Sequence, residues 1–353
     1  MDVIETLFND LISDNIHDKV DDISNYPHKL SEETYSIPEN SDLGVVWYLF
    51  GNNKGYMLLT YYSVLTFLRN TDLKHYKRYI VVPEDYEFTY LLPIFNQFGV
   101  EIRTTSKSFK FIDKDCDIIT NHKNVYTIDS DCFAYNNGGG ANYFMCVEEY
   151  LSLSERVGVI SPYMCMSLNH GSGLILQRLI QLHYSTSDIP DDFLMKYYDS
   201  SEHSNPNFDS GRIEDIRKGL QPIMDKIDRD FDHDTFITNF ITTKWPVHEV
   251  FCVSTEIYED SLLGEIIDIV QLKQPGYWDD EMIYKIFYTI KYQYNHHIIP
   301  LTKVPDDYTS KVVRPYGVPK KEDMIKDTLY LLHPFHSSGT EWVDNLFHIF
   351  DSK

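Results

Sequence analysis

Asp129 and Asp131 are the residues whose types and spacing most readily do chemistry. They close the run Val125-Tyr126-Thr127-Ile128-Asp129-Ser130-Asp131. Val125 to Ile128 are strand-prone, so the run reads as a short buried strand that stops at two carboxylates. Residues two apart in an extended segment project from one face. Two carboxylates held together repel unless a cation sits between them. Oxygen-rich pairs of this kind suit hard ions such as Mg²⁺ or Mn²⁺, which also carry a substrate's phosphates. The plainer reading is a strand followed by an acidic turn, in a chain with 54 acidic residues.

Two later stretches carry further reactive groups. Trp278-Asp279-Asp280-Glu281 opens an expected helix over Met282–Tyr292. Carboxylates at a helix start are favoured by the dipole by roughly 0.3–1 kcal/mol, which by itself explains an acidic first turn. The alternative is that Asp280 or Glu281 faces a reacting centre. His333-Pro334-Phe335-His336-Ser337-Ser338-Gly339 places two imidazoles three apart beside a glycine, a plausible ligand loop. His170 precedes another expected helix, 173–183, and reads as ordinary structure. Gly138-Gly139-Gly140 could let backbone approach a ligand or simply form a surface loop.

Composition bounds the rest. The chain has 353 residues, 42% hydrophobic, ample for a large core in one domain or two. A formal net charge of −23 argues against nucleic acid or an anionic membrane as main partner. A small phosphorylated ligand stays compatible, because a metal reverses the local field. Five scattered cysteines suggest neither a disulfide framework nor a zinc site, and fit a reducing compartment. No stretch reaches the ~18 apolar residues of a membrane span, and the acidic N-terminus lacks a signal-peptide pattern. The expected location is cytoplasmic.

The elements that must hold these residues follow from hydrophobic patterning. Residues 1–42 form a peripheral unit: an amphipathic helix with Ile4, Leu7, Phe8, Leu11 and Ile12 on one face, then a polar linker. Strands are expected at 45–50, 79–82, 100–103, 249–254 and 329–332. Helices are expected at 56–69, 88–98, 212–228, 260–271 and 282–292, and a further strand and turn within 157–168. Strand–helix alternation from residue 43 predicts a mostly parallel sheet flanked by helices. Residues 43–353 then form one domain, with a polar excursion at about 184–240.

The ordered set of Asp129-Ser130-Asp131, Trp278-Asp279-Asp280-Glu281 and His336-x-x-Gly339 resembles the GT-A fold glycosyltransferases. Those enzymes use nucleotide sugars and a divalent metal, and Asp-x-Asp at a strand end is their hallmark. Trp278-Asp279-Asp280-Glu281 looks like the Trp-His-Asp-Glu signature of retaining α-galactosyl and N-acetylgalactosaminyl transferases, with Asp279 in place of His. His336 to Trp342 is similar to the His-Phe-x-Gly-x-x-Lys-Pro-Trp loop of glycogenin-like transferases, with the Lys-Pro pair absent. The resemblance implies a GT-A, Rossmann-like, mixed and mostly parallel sheet. It implies Asp131 as a direct metal ligand, Asp129 sharing the metal or touching the ribose, and His336 completing the shell around Mn²⁺ or Mg²⁺. Glu281 or Asp280 would serve the sugar's reacting face. Phe50, Gly51, Tyr56, Ser130 and Gly339 would contact the nucleotide, with a UDP-sugar favoured. The acceptor would be a hydroxyl on a glycan, protein or small molecule. Rival classes are a metal-dependent nucleotidyltransferase, for which the early Gly-rich basic signature is missing, and a non-catalytic sugar-nucleotide-binding or scaffold protein.

Overall fold

The computed structural model describes residues 3–13, 30–39, 43–50, 54–106, 111–138, 159–161, 217–218, 220–227, 230–242, 250–273, 280–292, 299–300, 311–313, 319–326 and 328–332. Their centre is a sheet whose strands are β1 (Leu43–Tyr48), β2 (Lys77–Pro83), β3 (Val100–Thr105), β4 (Asn124–Asp129), β6 (Val159–Ser161), β7 (Val250–Ser254) and β8 (Ile299–Pro300). Their spatial order is β3-β2-β1-β4-β7-β6-β8. Four pairings are parallel, and β7 alone runs against its neighbours β4 and β6. The mixed, mostly parallel sheet expected from strand–helix alternation is therefore present. Every residue of β1 is buried, as a strand covered on both faces requires.

Side-chain alternation sends the central strands into two cores. Val45, Trp47, Ile80, Val82, Tyr126 and Ile128 join one. Val46, Tyr48, Tyr79, Val81 and Val125 join the other. The first core is covered by helix α1 (Val3–Ser13), helix α2 (Lys54–Asn70) and the 3₁₀ segment Thr89–Phe98. The second is covered by helices α4 (His233–Thr242), α5 (Glu256–Glu259), α6 (Ser261–Lys273) and α7 (Asp280–Tyr292). The short helix α3 (Asp117–Asn121) leads into β4. Among the described residues no helix is long and apolar enough to cross a membrane.

The amphipathic N-terminal helix docks on the main body: Phe8 and Leu11 are buried, and Phe8 lies 5.0 Å from the Tyr61 ring. The expected helix at 88–98 forms with 3₁₀ geometry instead of α. Pro93 lies inside it and supplies no N–H for the α ladder. Gly99 ends it with φ 58°, the left-handed stop that glycine allows. A Cβ there would also meet Tyr35 O at 2.7 Å, because residues 31–37 cross directly over it.

A second sheet was not foreseen. Strand β5 (Phe133–Asn137) pairs antiparallel with β10 (Thr328–Leu332), which pairs parallel with β9 (Lys311–Val313). Asn136 and Asn137 are turn formers, so the pattern reads as a loop. Partner strand β10, almost two hundred residues away in sequence, holds them extended. Helix α4 also escaped the pattern, although Phe236, Ile237 and Phe240 are buried. The expected helix at 173–183 lies outside the described residues.

An ion pair links α3 to β3 and carries a pH signature. Arg103 donates two 2.7 Å bonds to Asp117, and these hold the Asp117 carboxyl below its ordinary 3.8. A depressed carboxyl stabilises the fold above its unfolded value and loses that contribution as pH falls through the folded one. An NMR titration should show Asp117 ionising below the usual aspartate range, and Arg103→Met should return it upward. An unmoved midpoint in that variant would refute the pair.

Candidate active site

The carboxylates sit where the chain passes from one sheet to the other. β4 ends at Asp129, level with Tyr48 of the neighbouring β1. β5 begins at Phe133. Asp129 follows Val125 and Thr127 in the alternation, so its side chain leaves the sheet on the face covered by α6 and α7. Cys132 and Phe133 already belong to the opposite core. Residues 130–131 therefore carry the chain over the C-terminal edge of the sheet, the edge at which open α/β sheets place ligands.

Strand alternation is not what pairs the two carboxylates. Asp131 is not in a strand. Residues 130 and 131 form a turn, closed by the Cys132 N–H donating to Asp129 O at 3.1 Å. Strand alternation thus does not bring the two carboxylates together; the turn does. The outcome is the same gathering. Ligand atoms of Asp129, Asp131 and Cys132 all lie within 4.8 Å of one another. Both aspartates are partly exposed, Cys132 is buried, and Oδ1 of Asp129 is buried too. The scattered-cysteine pattern gave no reason to include Cys132. Its only signal was adjacency to Asp131.

Neighbouring groups brace this turn. The Ser130 hydroxyl donates to Tyr48 O. Tyr48 stacks on Phe50 with ring centroids 5.6 Å apart and planes 13° off parallel. From below, Ser63 of α2 donates to Cys132 O. Tyr56, two turns earlier on α2, is 37% exposed. Burial, then the Asp131 carboxylate, raise its phenol above the ordinary value, so it stays protonated and able to donate. The structure thus brings Phe50, Tyr56, Asp129, Ser130 and Asp131 to one edge.

Other expected residues are placed only in part. Asp280 and Glu281 begin α7, on the sheet face toward which Asp129 projects; their side chains lie outside the described residues. Gly51, His336 and Gly339 lie outside the described residues altogether. β10, however, ends at Leu332 opposite Phe133, two residues after Asp131.

The donor set fits a divalent cation. Metal–oxygen bonds of about 2.0–2.6 Å put two ligand oxygens on one ion at most roughly 4–5 Å apart, and the observed cluster lies within 4.8 Å. Two carboxylates favour Mg²⁺ or Mn²⁺, while a thiolate would favour a softer ion.

No protein-family model matches the chain, and none of the curated proteins is significantly similar to it. Solved structures are. Among them are a mannan synthase, a xylosyltransferase and a mannosyltransferase. Core-mannan synthase A (CmsA/Ktr4) from Aspergillus fumigatus, in its Mn/GDP form, is 8% identical with a TM-score of 0.38, covering 77% of this chain and 78% of that one. Mouse xyloside xylosyltransferase 1, in its apo form, is 10% identical with a TM-score of 0.38, covering 84% and 98%. Mannosyltransferase Ktr4p from S. cerevisiae is 10% identical with a TM-score of 0.35, covering 80% and 79%. Likenesses this distant add nothing to what the site's own geometry supports.

Proposed function

We propose that this chain transfers a sugar from a nucleoside diphosphate sugar to a hydroxyl acceptor, using a divalent metal at Asp129 and Asp131. The observation that carries the reading is the gathering of these carboxylates within 4.8 Å at the C-terminal edge of a mostly parallel sheet. Breaking the bond between the anomeric carbon and the diphosphate builds negative charge on the leaving group. When bound, Mn²⁺ or Mg²⁺ supplies electrostatic stabilisation of that charge. Asp131 and Asp129 would hold the ion, and the phenol of Tyr56 could donate to a phosphate or ribose oxygen.

His336 would complete the shell. It follows four residues after Leu332, and four residues span up to about 14 Å. Leu332 itself lies opposite Phe133, beside the turn. Gly339 and Gly51 would allow close backbone approach to the nucleotide, with Phe50 near the base. Glu281 or Asp280, opening a helix on the face that Asp129 addresses, would act at the sugar. In an inverting reaction that carboxylate would take the acceptor's proton. In a retaining one it would stabilise or briefly bond to the sugar, and the Trp278-Asp279-Asp280-Glu281 likeness favours retention. A UDP-sugar is the favoured donor.

A thermal-shift panel of UDP- and GDP-sugars, with and without Mn²⁺, tests this. A ligand at 100 times its Kd stabilises by about 2.7 kcal/mol, so a shift of a few degrees that requires both sugar nucleotide and metal is expected. Stabilisation by a nucleoside triphosphate instead would point to nucleotidyl transfer. Silence across the panel would leave a scaffold.

A further inference from the structure

We infer that Ser63, oriented by Trp47, is a positioning residue that holds the Asp129–Asp131 turn ready for its cation. The inference rests on the metal reading above and extends it to residues outside the ligand set. Ser63 lies in the interior of α2 and is fully buried, as is Trp47. A serine inside a helix ordinarily returns its hydroxyl to a carbonyl one turn earlier. Thr60 and Thr71, at either end of the same region, bond in that way, to Tyr56 O and Phe67 O. Ser63 does not.

Its hydroxyl reaches across the fold to the turn. It donates to Cys132 O at 2.5 Å and lies 3.4 Å from Asp129 O. These carbonyls belong to the first and last residues of the turn. The Trp47 indole N–H donates to the Ser63 oxygen at 3.1 Å. That occupies one lone pair of the hydroxyl and leaves its single hydrogen to point at the turn. Phe67 packs edge-on against Trp47, with centroids 6.3 Å apart, and fixes the indole.

Anchoring the Cys132 carbonyl, with the Asp129 carbonyl alongside at 3.4 Å, pins the two peptide planes that bracket the turn, and so limits the directions in which both carboxylates leave the chain. Like charges at this separation push apart unless something rigid opposes them. A site already in its bound geometry spends less on ordering when the ion arrives. The serine therefore acts on metal affinity through the backbone, without touching the ion. Two neighbours on α2 make a useful contrast. Thr66 accepts from Ala134 N at 3.3 Å and Asn70 donates to Ala134 O at 2.9 Å. They hold β5 and leave the turn alone.

Titration of the full chain with Mn²⁺, read by the electron paramagnetic resonance signal of the free ion, tests the role without any turnover. Ser63→Ala is expected to weaken Mn²⁺ binding about tenfold, the range for residues that orient metal ligands. Trp47→Phe, which keeps the hydroxyl but frees its rotation, should lose affinity in the same direction, by no more than the roughly tenfold of Ser63→Ala, and it stands in if Ser63→Ala does not fold. Thr66→Val should lower the unfolding temperature while keeping wild-type affinity. Wild-type affinity in both Ser63→Ala and Trp47→Phe would overturn the inference, as would an equal loss in Thr66→Val. Asp131→Asn separates the two levels. If it abolishes binding while Ser63→Ala and Trp47→Phe both keep wild-type affinity, the metal reading stands and the positioning role falls. If wild type binds no Mn²⁺, or Asp131→Asn binds it normally, both fall.

Discussion

Asp131→Asn should cut metal-dependent cleavage of the sugar–diphosphate bond by about a thousandfold. Stabilising charge on a leaving group is worth several kcal/mol, and each ~1.4 kcal/mol is tenfold in rate. Asparagine keeps the shape of the side chain and removes its charge, so the loss reports on the ion. Stability should move the other way. Two carboxylates within 4.8 Å of each other repel by roughly 1–3 kcal/mol between the limits of bulk water and a protein surface. Without metal, the variant should unfold at or above the wild-type temperature. Added Mn²⁺ should then raise the wild type and leave the variant where it was. A variant that keeps its rate, or still gains from Mn²⁺, would remove Asp131 from the centre of the reaction.

The largest expected loss of stability comes from Arg78→Met. Arg78 is 1% exposed. It donates to the backbone carbonyls of Lys74, Tyr76 and Ser36, and so ties the crossing segment at residues 31–37 to the start of β2. Burial pulls its guanidinium down to about 10, a desolvation cost on the order of 3 kcal/mol. Methionine would recover that cost. Against it stand three hydrogen bonds from a charged donor, at roughly 1.5–3 kcal/mol each, and the carbonyls left buried behind them. The bonds win, so the net loss should be about 2–4 kcal/mol. It should appear as a lower urea midpoint at constant slope. Arg78→Lys should recover only part, since one ammonium cannot reach three separated carbonyls as a planar fork does. An Arg78→Met midpoint at or above wild type would mean that desolvation dominates.

Much of the frame was legible from residue order. Strands β1 to β4 and β10, and helices α1, α2, α6 and α7, follow from runs of Val, Ile, Tyr and Leu broken at Gly, Pro and Asp. Those signals are local, and a buried parallel strand needs little else. Errors fell where a distant partner overrides local preference. Phe133-Ala134-Tyr135-Asn136-Asn137 becomes a strand only because β10 supplies its ladder. Ser63 reads as one small residue in an apolar helix. Its role exists only because the fold sets it beneath residue 132.

The sequence by itself determined that a buried strand runs into a pair of carboxylates, because strand propensity and acidic side chains are properties of neighbouring residues. Tertiary structure alone decided how they meet. The strand stops at Asp129, the chain turns over the sheet edge, and Asp131 and Cys132 swing into reach through a turn held from α2 and β1. Periodicity extends a strand's geometry past its end, whereas the turn depends on hydrogen bonds to residues more than sixty positions away.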